Sequence, residues 1–314
     1  IVAGMDRDGL LKYLYLLTAI LAAVSAIYFV QSFFSLSLRS EIARSWTDFG
    51  IQRVRGPLYG SSNGPFMLLP ALAFAVLMIY RGKRRWLSTI MGFVILVALI
   101  GTGSRAALIS LGLYILLLTF FFRGKRKALM ILIIVLMLII SVYIVFLKAE
   151  PERLTSFQDP LRELTYETGF RFFDKGSMFQ KLFGRGYGAI WPWYLMDTQL
   201  SYANYRTQIF TSLGASAYHP HSVFMMLLSE TGLFGIVFWF LYWIILIKVG
   251  LEIIGEKTGM FIYFAGIISA SAVMLFDLLI FKNFVISAMF WIYFFSALKL
   301  RGEKKDNPFF LECR

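Results

Sequence analysis

Apolar residues gather into eight long runs, at about 11–34, 65–80, 86–101, 105–122, 128–147, 221–247, 258–280 and 284–299, and polar residues fall between them. A membrane-spanning helix needs roughly 17–25 apolar residues, so the third and eighth runs are short and the second is marginal. Helix is the conformation assigned to all of them, because an open sheet cannot satisfy its backbone polar groups in lipid. The pattern predicts an all-α, polytopic membrane protein.

Composition supports that class. The chain of 314 residues is 59% hydrophobic and 16% charged, with a mean hydropathy of +0.71, where soluble domains run at about 45–50% apolar. The formal charge of +13 does not indicate nucleic acid, because the basic residues sit in short clusters between apolar runs. The single cysteine, Cys313, excludes a disulfide framework within one chain. The basic clusters RGKRR (81–85), RGKRK (123–127) and KLRGEKK (299–305) all fall on one side if there are eight spans, and the excess of Lys and Arg makes that side cytoplasmic. The chain then divides into five spans (1–147), a large periplasmic loop domain (148–220), three more spans (221–300) and a cytoplasmic tail (301–314).

The outer side carries arginines against this trend. Arg105, in the GTGSR turn between the third and fourth runs, is the sharpest case, since a short turn does not escape the charge rule. One reading is an arginine snorkelling to lipid headgroups. The other starts from the fourth helix, whose N-terminus offers unpaired N–H groups and partial positive charge. Thr102 or Ser104 can cap it, and Gly101 and Gly103 let the backbone approach a ligand closely. An arginine beside such a terminus suits a phosphate or diphosphate.

Residues 148–220 are too many for a mere connector, and their fifteen aromatics are not the composition of a disordered linker. Two or three short helices are expected there. One is FRFFDKGSMFQKLF (170–183), on which Phe172, Phe179 and Phe183 share a face that can lie on the membrane surface. The aromatics, including those of WPWY (191–194) and Tyr202, Tyr205 and Tyr218, are either an interfacial belt or rings that stack on sugars or grip a lipid tail. GRGYG (184–188) has the glycine spacing of a dinucleotide loop without the strand–turn–helix context, and reads as a turn.

Both histidines, His219 and His221, flank Pro220 at the mouth of the sixth run. Pro220 breaks helix before it, and Ser222 can cap the helix after it. The two rings are either boundary residues in a turn or a base near neutral pH. Two histidines with no evident acidic companions make a poor metal site. Glu230 and Asp277 lie within apolar runs, where acids are functional suspects. Glu230 precedes Thr231-Gly232, which reads as a kink or helix end, so a structural hydrogen bond serves equally well.

Three segments resemble the O-antigen ligase and polymerase superfamily of membrane glycosyltransferases, which use undecaprenyl-diphosphate-linked sugars. TGSRAALISL (102–111) is similar to the family's T-G-S-R-[GA] turn, and HPHSVFMMLLSETGLFG (219–235) to its H-[NS]-x2-L-x3-E-x-G-x-x-G stretch. RVRGPLYGSSN (53–63) is similar to an Arg-Gly…Asn segment before a span. Arg171 lies upstream of LFGRGYG, as the family places an arginine before a P-L-x-G-x-G piece; here Lys181 stands where proline is usual, and Phe224 departs from the usual aliphatic pattern. Such proteins have more spans than eight, so further helices are expected upstream of Ile1.

The resemblance implies a GT-C-type helical bundle in the bacterial inner membrane, with its active site on the periplasmic face and neither metal nor cofactor. It implies that Arg105 and Arg171 bind the donor diphosphate and that His221 is the base, with His219 in reserve. Arg55, Ser104, Gly103 and Tyr218 join them as substrate-binding residues. The implied donor is a glycan on undecaprenyl diphosphate. The implied acceptor is lipid A-core, for a ligase, or a second lipid-linked saccharide, for a polymerase; the ligase is favoured. Two rivals belong to other classes. A transporter would place polar groups at the bilayer midplane on broken helices. A non-catalytic lipid-binding scaffold would tolerate alanine at His221.

Overall fold

The computed structural model describes residues 2–33, 64–82, 84–102, 104–121, 132, 135–136, 139, 166, 169–186, 210–211, 214–215, 222–255, 259–275 and 284–302. Nine α-helices are bounded among the described residues: α1 (Arg7–Phe33), α2 (Gly64–Tyr80), α3 (Arg85–Gly101), α4 (Arg105–Phe121), α5 (Met178–Phe183), α6 (Val223–Glu230), α7 (Gly232–Gly255), α8 (Met260–Ala272) and α9 (Phe284–Gly302). The all-helical expectation needs one small correction. Phe210–Thr211 pairs antiparallel with Gly214–Ala215. The fifth run lies outside the described residues, apart from four helical positions at 132, 135, 136 and 139.

Helices α1 and α7 are long and apolar enough to cross a membrane, and α2, α3, α4 and α8 are shorter apolar helices. This is the pattern of a helical membrane protein. The sixth run is two helices rather than one. α6 stops at Glu230, Thr231 closes the last turn with its N–H on the Leu227 carbonyl (2.8 Å), and α7 starts at Gly232, whose φ of 65° is left-handed.

The chain forms two compact units. The first comprises Ile1–Thr155, Lys248–Val273 and Leu279–Arg314, and α2 is its centre. α2 is buried from Gly64 to Met78, as a helix that is apolar all round requires. Small residues bring its neighbours close: a Cβ on Gly266 of α8 would run into Ala73, and one on Gly92 of α3 would meet Ala75 at 3.6 Å. Phe74 packs edge-on against Tyr263 (5.6 Å), and Phe66 against Phe290 of α9 (6.2 Å). Polar groups then pin the helices: Thr18 of α1 bonds the Tyr293 hydroxyl (3.0 Å), and the Tyr263 hydroxyl donates to the Tyr293 carbonyl (2.9 Å).

One end of this unit collects basic residues. Lys299 donates to the carbonyls of Val2 (3.1 Å), Ala3 (2.9 Å) and Met5. Arg301 pairs with Glu252, and the Arg84 guanidinium lies 5.0 Å from the centre of the Tyr15 ring. The N-termini of α1 and α3 and the C-termini of α2 and α9 therefore share one end. The turn after α3 lies about 25 Å away along that helix, given its 17 residues and a rise of about 1.5 Å each.

The second unit comprises Ser156–Ile247 and Met274–Leu278. It contains α5, α6, the first part of α7 and the short strand pair.

Candidate functional site

In the first unit, the turn at 102–105 is built by its own side chains. The Thr102 N–H closes α3 on the Ala98 carbonyl (3.0 Å), and its hydroxyl donates to Leu99 (2.7 Å) while receiving the Ser104 N–H (3.4 Å). Ser104 then accepts the Ala107 N–H (3.4 Å). That is the bond an N-cap makes to the third residue of a helix, so the capping expected at Ser104 is present. Both side chains are buried. Arg105 is the first residue of α4, at the end of this unit away from the basic cluster. Gly103 and Arg55 lie outside the described residues.

In the second unit, Arg171 is exposed on helical residues 169–174. The expected single helix over 170–183 is in fact two. Lys175 and Gly176 end the first piece by bonding the carbonyls of Arg171 (3.1 Å) and Phe173 (3.0 Å). Ser177 and Gln180 start the second with reciprocal bonds: the Ser177 N–H to Gln180 Oε1 (2.9 Å) and the Gln180 N–H to Ser177 Oγ (3.3 Å). The break re-aims the rings. Phe172 is buried whereas Phe179 and Phe183 are exposed, so the shared face does not form.

Arg185 explains where Phe172 goes. Its guanidinium lies 4.1 Å from the centre of the Phe172 ring and donates to the Phe172 carbonyl (3.2 Å). The residue beside Arg171 is thus gripped at both ring and backbone. The loop around Arg185 is seated in turn on the end of α6. The Arg185 N–H donates to Ser229 (3.4 Å) and the Gly186 N–H to Glu230 (3.0 Å). Gly184 and Gly186 have φ of 79° and 106°, which confirms the turn expected there.

Glycine is required at two of these places. A Cβ on Gly184 would collide with the Glu230 carbonyl, and one on Gly232 would lie 2.6 Å from the Leu182 carbonyl carbon. Both also hold left-handed φ, which side chains disfavour. The G-x-G and E-x-G segments, distant in sequence, are two halves of one contact. Gly235 completes it, because a Cβ there would strike the Thr231 hydroxyl, which bonds Leu227 (2.8 Å). Glu230 itself is buried.

Ser222 stands at the N-cap of α6, but its side chain makes no capping bond, contrary to expectation. Tyr218, His219 and His221 lie outside the described residues, as does Asp277. α6 runs about 12 Å from Ser222 to Glu230, with 8 residues at a rise of about 1.5 Å. The loop at Arg185 and Gly186 is therefore tied to the end of α6 away from Ser222.

Residues 90–240 match the family model of the O-antigen ligases. Over that span the chain is similar to the O-antigen ligase family. The match takes in the TGSR turn, Arg171, the G-x-G loop and the stretch from His219 to Gly235. Members of this O-antigen ligase and polymerase superfamily are glycosyltransferase-like membrane enzymes acting on lipid-linked saccharides. No curated protein and no solved structure matches the chain. Sequence reading missed Arg185 and the glycine contact.

Proposed function

We propose that this chain transfers a glycan from undecaprenyl diphosphate to a saccharide hydroxyl, with lipid A-core as the acceptor and O-antigen ligation as the reaction. The observation that carries the reading is the O-antigen ligase match over 90–240, which spans every proposed catalytic residue. The seating of the G-x-G loop on the E-x-G turn supports it. The basic end of the first unit faces the cytosol, and Arg105, at the opposite end of α3, faces the periplasm of a bacterial inner membrane.

In this reading the acceptor oxygen attacks the sugar C1 from the side opposite the diphosphate. The C1–O bond to phosphorus breaks, and its electron pair leaves with undecaprenyl diphosphate. The hydroxyl proton passes to His221. The configuration at C1 inverts. Arg105 and Arg171 meet the negative charge growing on the leaving group, and fixed guanidiniums do this without reorganising. Arg55, His219 and Tyr218 stand around the donor and acceptor, and the backbone of Gly103 and Ser104 lets the diphosphate approach. The reaction needs no metal and no cofactor.

The test is transfer by the purified chain from lipid-linked donor in the presence of a chelator. Lipid A-core is one acceptor and a second donor molecule the other. Arg105→Ala and His221→Ala are each expected to abolish transfer while insertion and expression persist. Activity retained in both variants overturns the assignment. Extension of the second donor in place of lipid A-core assigns a polymerase.

A further inference from the structure

We propose that the rings of α5 and the start of α7 form a lipid-facing seat that fixes the 169–186 segment at the acyl–headgroup boundary of an anionic bilayer. This goes beyond the transfer reading and does not depend on it. The rings form a continuous ladder. Phe179 lies 5.0 Å from Phe183, Phe183 stacks on Phe234 at 5.5 Å, and Phe234 lies 5.9 Å from Phe238. These four rings and Met178 are each at least half exposed. So much contiguous apolar surface marks a site that meets another apolar phase.

Two observations name that phase. The first is continuity. Phe234 and Phe238 belong to α7, which is long and apolar enough to cross a membrane and whose apolar window is only 17% buried within the protein. Lipid is the medium that covers such a helix, and the α5 rings extend its surface at its N-terminal end. The second is charge. Residues 169–186 hold Arg171, Lys175, Lys181 and Arg185 against Asp174 alone, and Lys181 is shared with Asp174 at 3.5 Å. Basic residues beside an aromatic face are the mark of a segment lying in the interface of anionic lipid. The glycine contact gives the seat its rigidity: Gly184 against Glu230 and Gly232 against Leu182 leave α5 no freedom to swing away from α7. The bilayer thereby sets the height of Arg171.

The chain's single cysteine makes the test direct. In a Cys313→Ser background, nitroxide labels are placed at Met178→Cys, Phe179→Cys and, as the polar control, Asp174→Cys. The full chain is reconstituted in vesicles of phosphatidylcholine alone or mixed equally with phosphatidylglycerol. Labels at 178 and 179 are expected to collide with oxygen in preference to an aqueous nickel chelate, and the label at 174 the reverse. Depth at 178 and 179 is expected to increase with phosphatidylglycerol. Equal nickel access at all three sites overturns the proposal, and so does shielding of 178 and 179 from both reagents, which means a protein surface covers the rings. Depth that ignores phosphatidylglycerol overturns the anionic part. The readout is position, so it stands or falls separately from glycan transfer.

Discussion

Gly184 and Gly232 each satisfy two demands at once, a left-handed backbone and an approach that leaves no room for a Cβ. Alanine at either meets a conformational penalty of about 1–2 kcal/mol before any clash is counted. Gly184→Ala is therefore expected to unseat the loop from α6, read as faster limited proteolysis between Lys175 and Arg185 with the membrane helices still protected. Arg185 is a positioning residue of a different kind. Its contacts to the Phe172 ring and carbonyl are together worth about 1–2 kcal/mol, and lysine keeps the charge but loses the planar stack. Arg185→Lys is expected to lower transfer about tenfold through turnover rather than donor KM, because Arg171 remains present but less well aimed. A drop confined to KM would instead make Arg185 a direct ligand of the donor.

At the scale of elements, the apolar runs anticipate the helices well where lipid-length hydrophobicity decides the matter. α2, α3 and α4 begin and end within a residue or so of runs two to four, and Thr231-Gly232 marks the observed break. The Ser104 cap was also legible, because a serine directly before an apolar run has one economical use. The segment 170–183 was misread although its signal was present. Ser177-Met178-Phe179-Gln180 is a capping box, and Gly176 precedes it, so a helix start inside the segment outranks the period of the aromatics. The contact between the two glycine motifs and the grip of Arg185 on Phe172 were not legible, since both depend on which distant backbone a loop meets. The capping box carries its own prediction. Ser177→Ala is expected to weaken α5 by about 1 kcal/mol, read as amide exchange about fivefold faster at Phe179 to Phe183 and unchanged in α6.

For the whole molecule, the first unit is held by small residues at helix crossings and by hydroxyls bonded across them, the means open to helices that share an apolar solvent. Gly266 is the tightest crossing. Gly266→Val is expected to push α8 off α2 and lower the thermal midpoint in detergent by several degrees, an overpacking penalty of about 1–3 kcal/mol. The midpoint in Gly112→Val is expected to stay unchanged, because among the described residues nothing lies within 4 Å of a Cβ at Gly112. Lys299 and Tyr293 have a consequence for biosynthesis. They bind the carbonyls of Val2, Ala3 and Met5 and the Thr18 hydroxyl, so α9 fastens to α1 only after the helices between them have been made. Until then α1 is held against α2 and α3 alone, and a chain stopped before Phe284 would keep that packing but lose the groups that bond the Thr18 hydroxyl and the carbonyls of residues 2, 3 and 5.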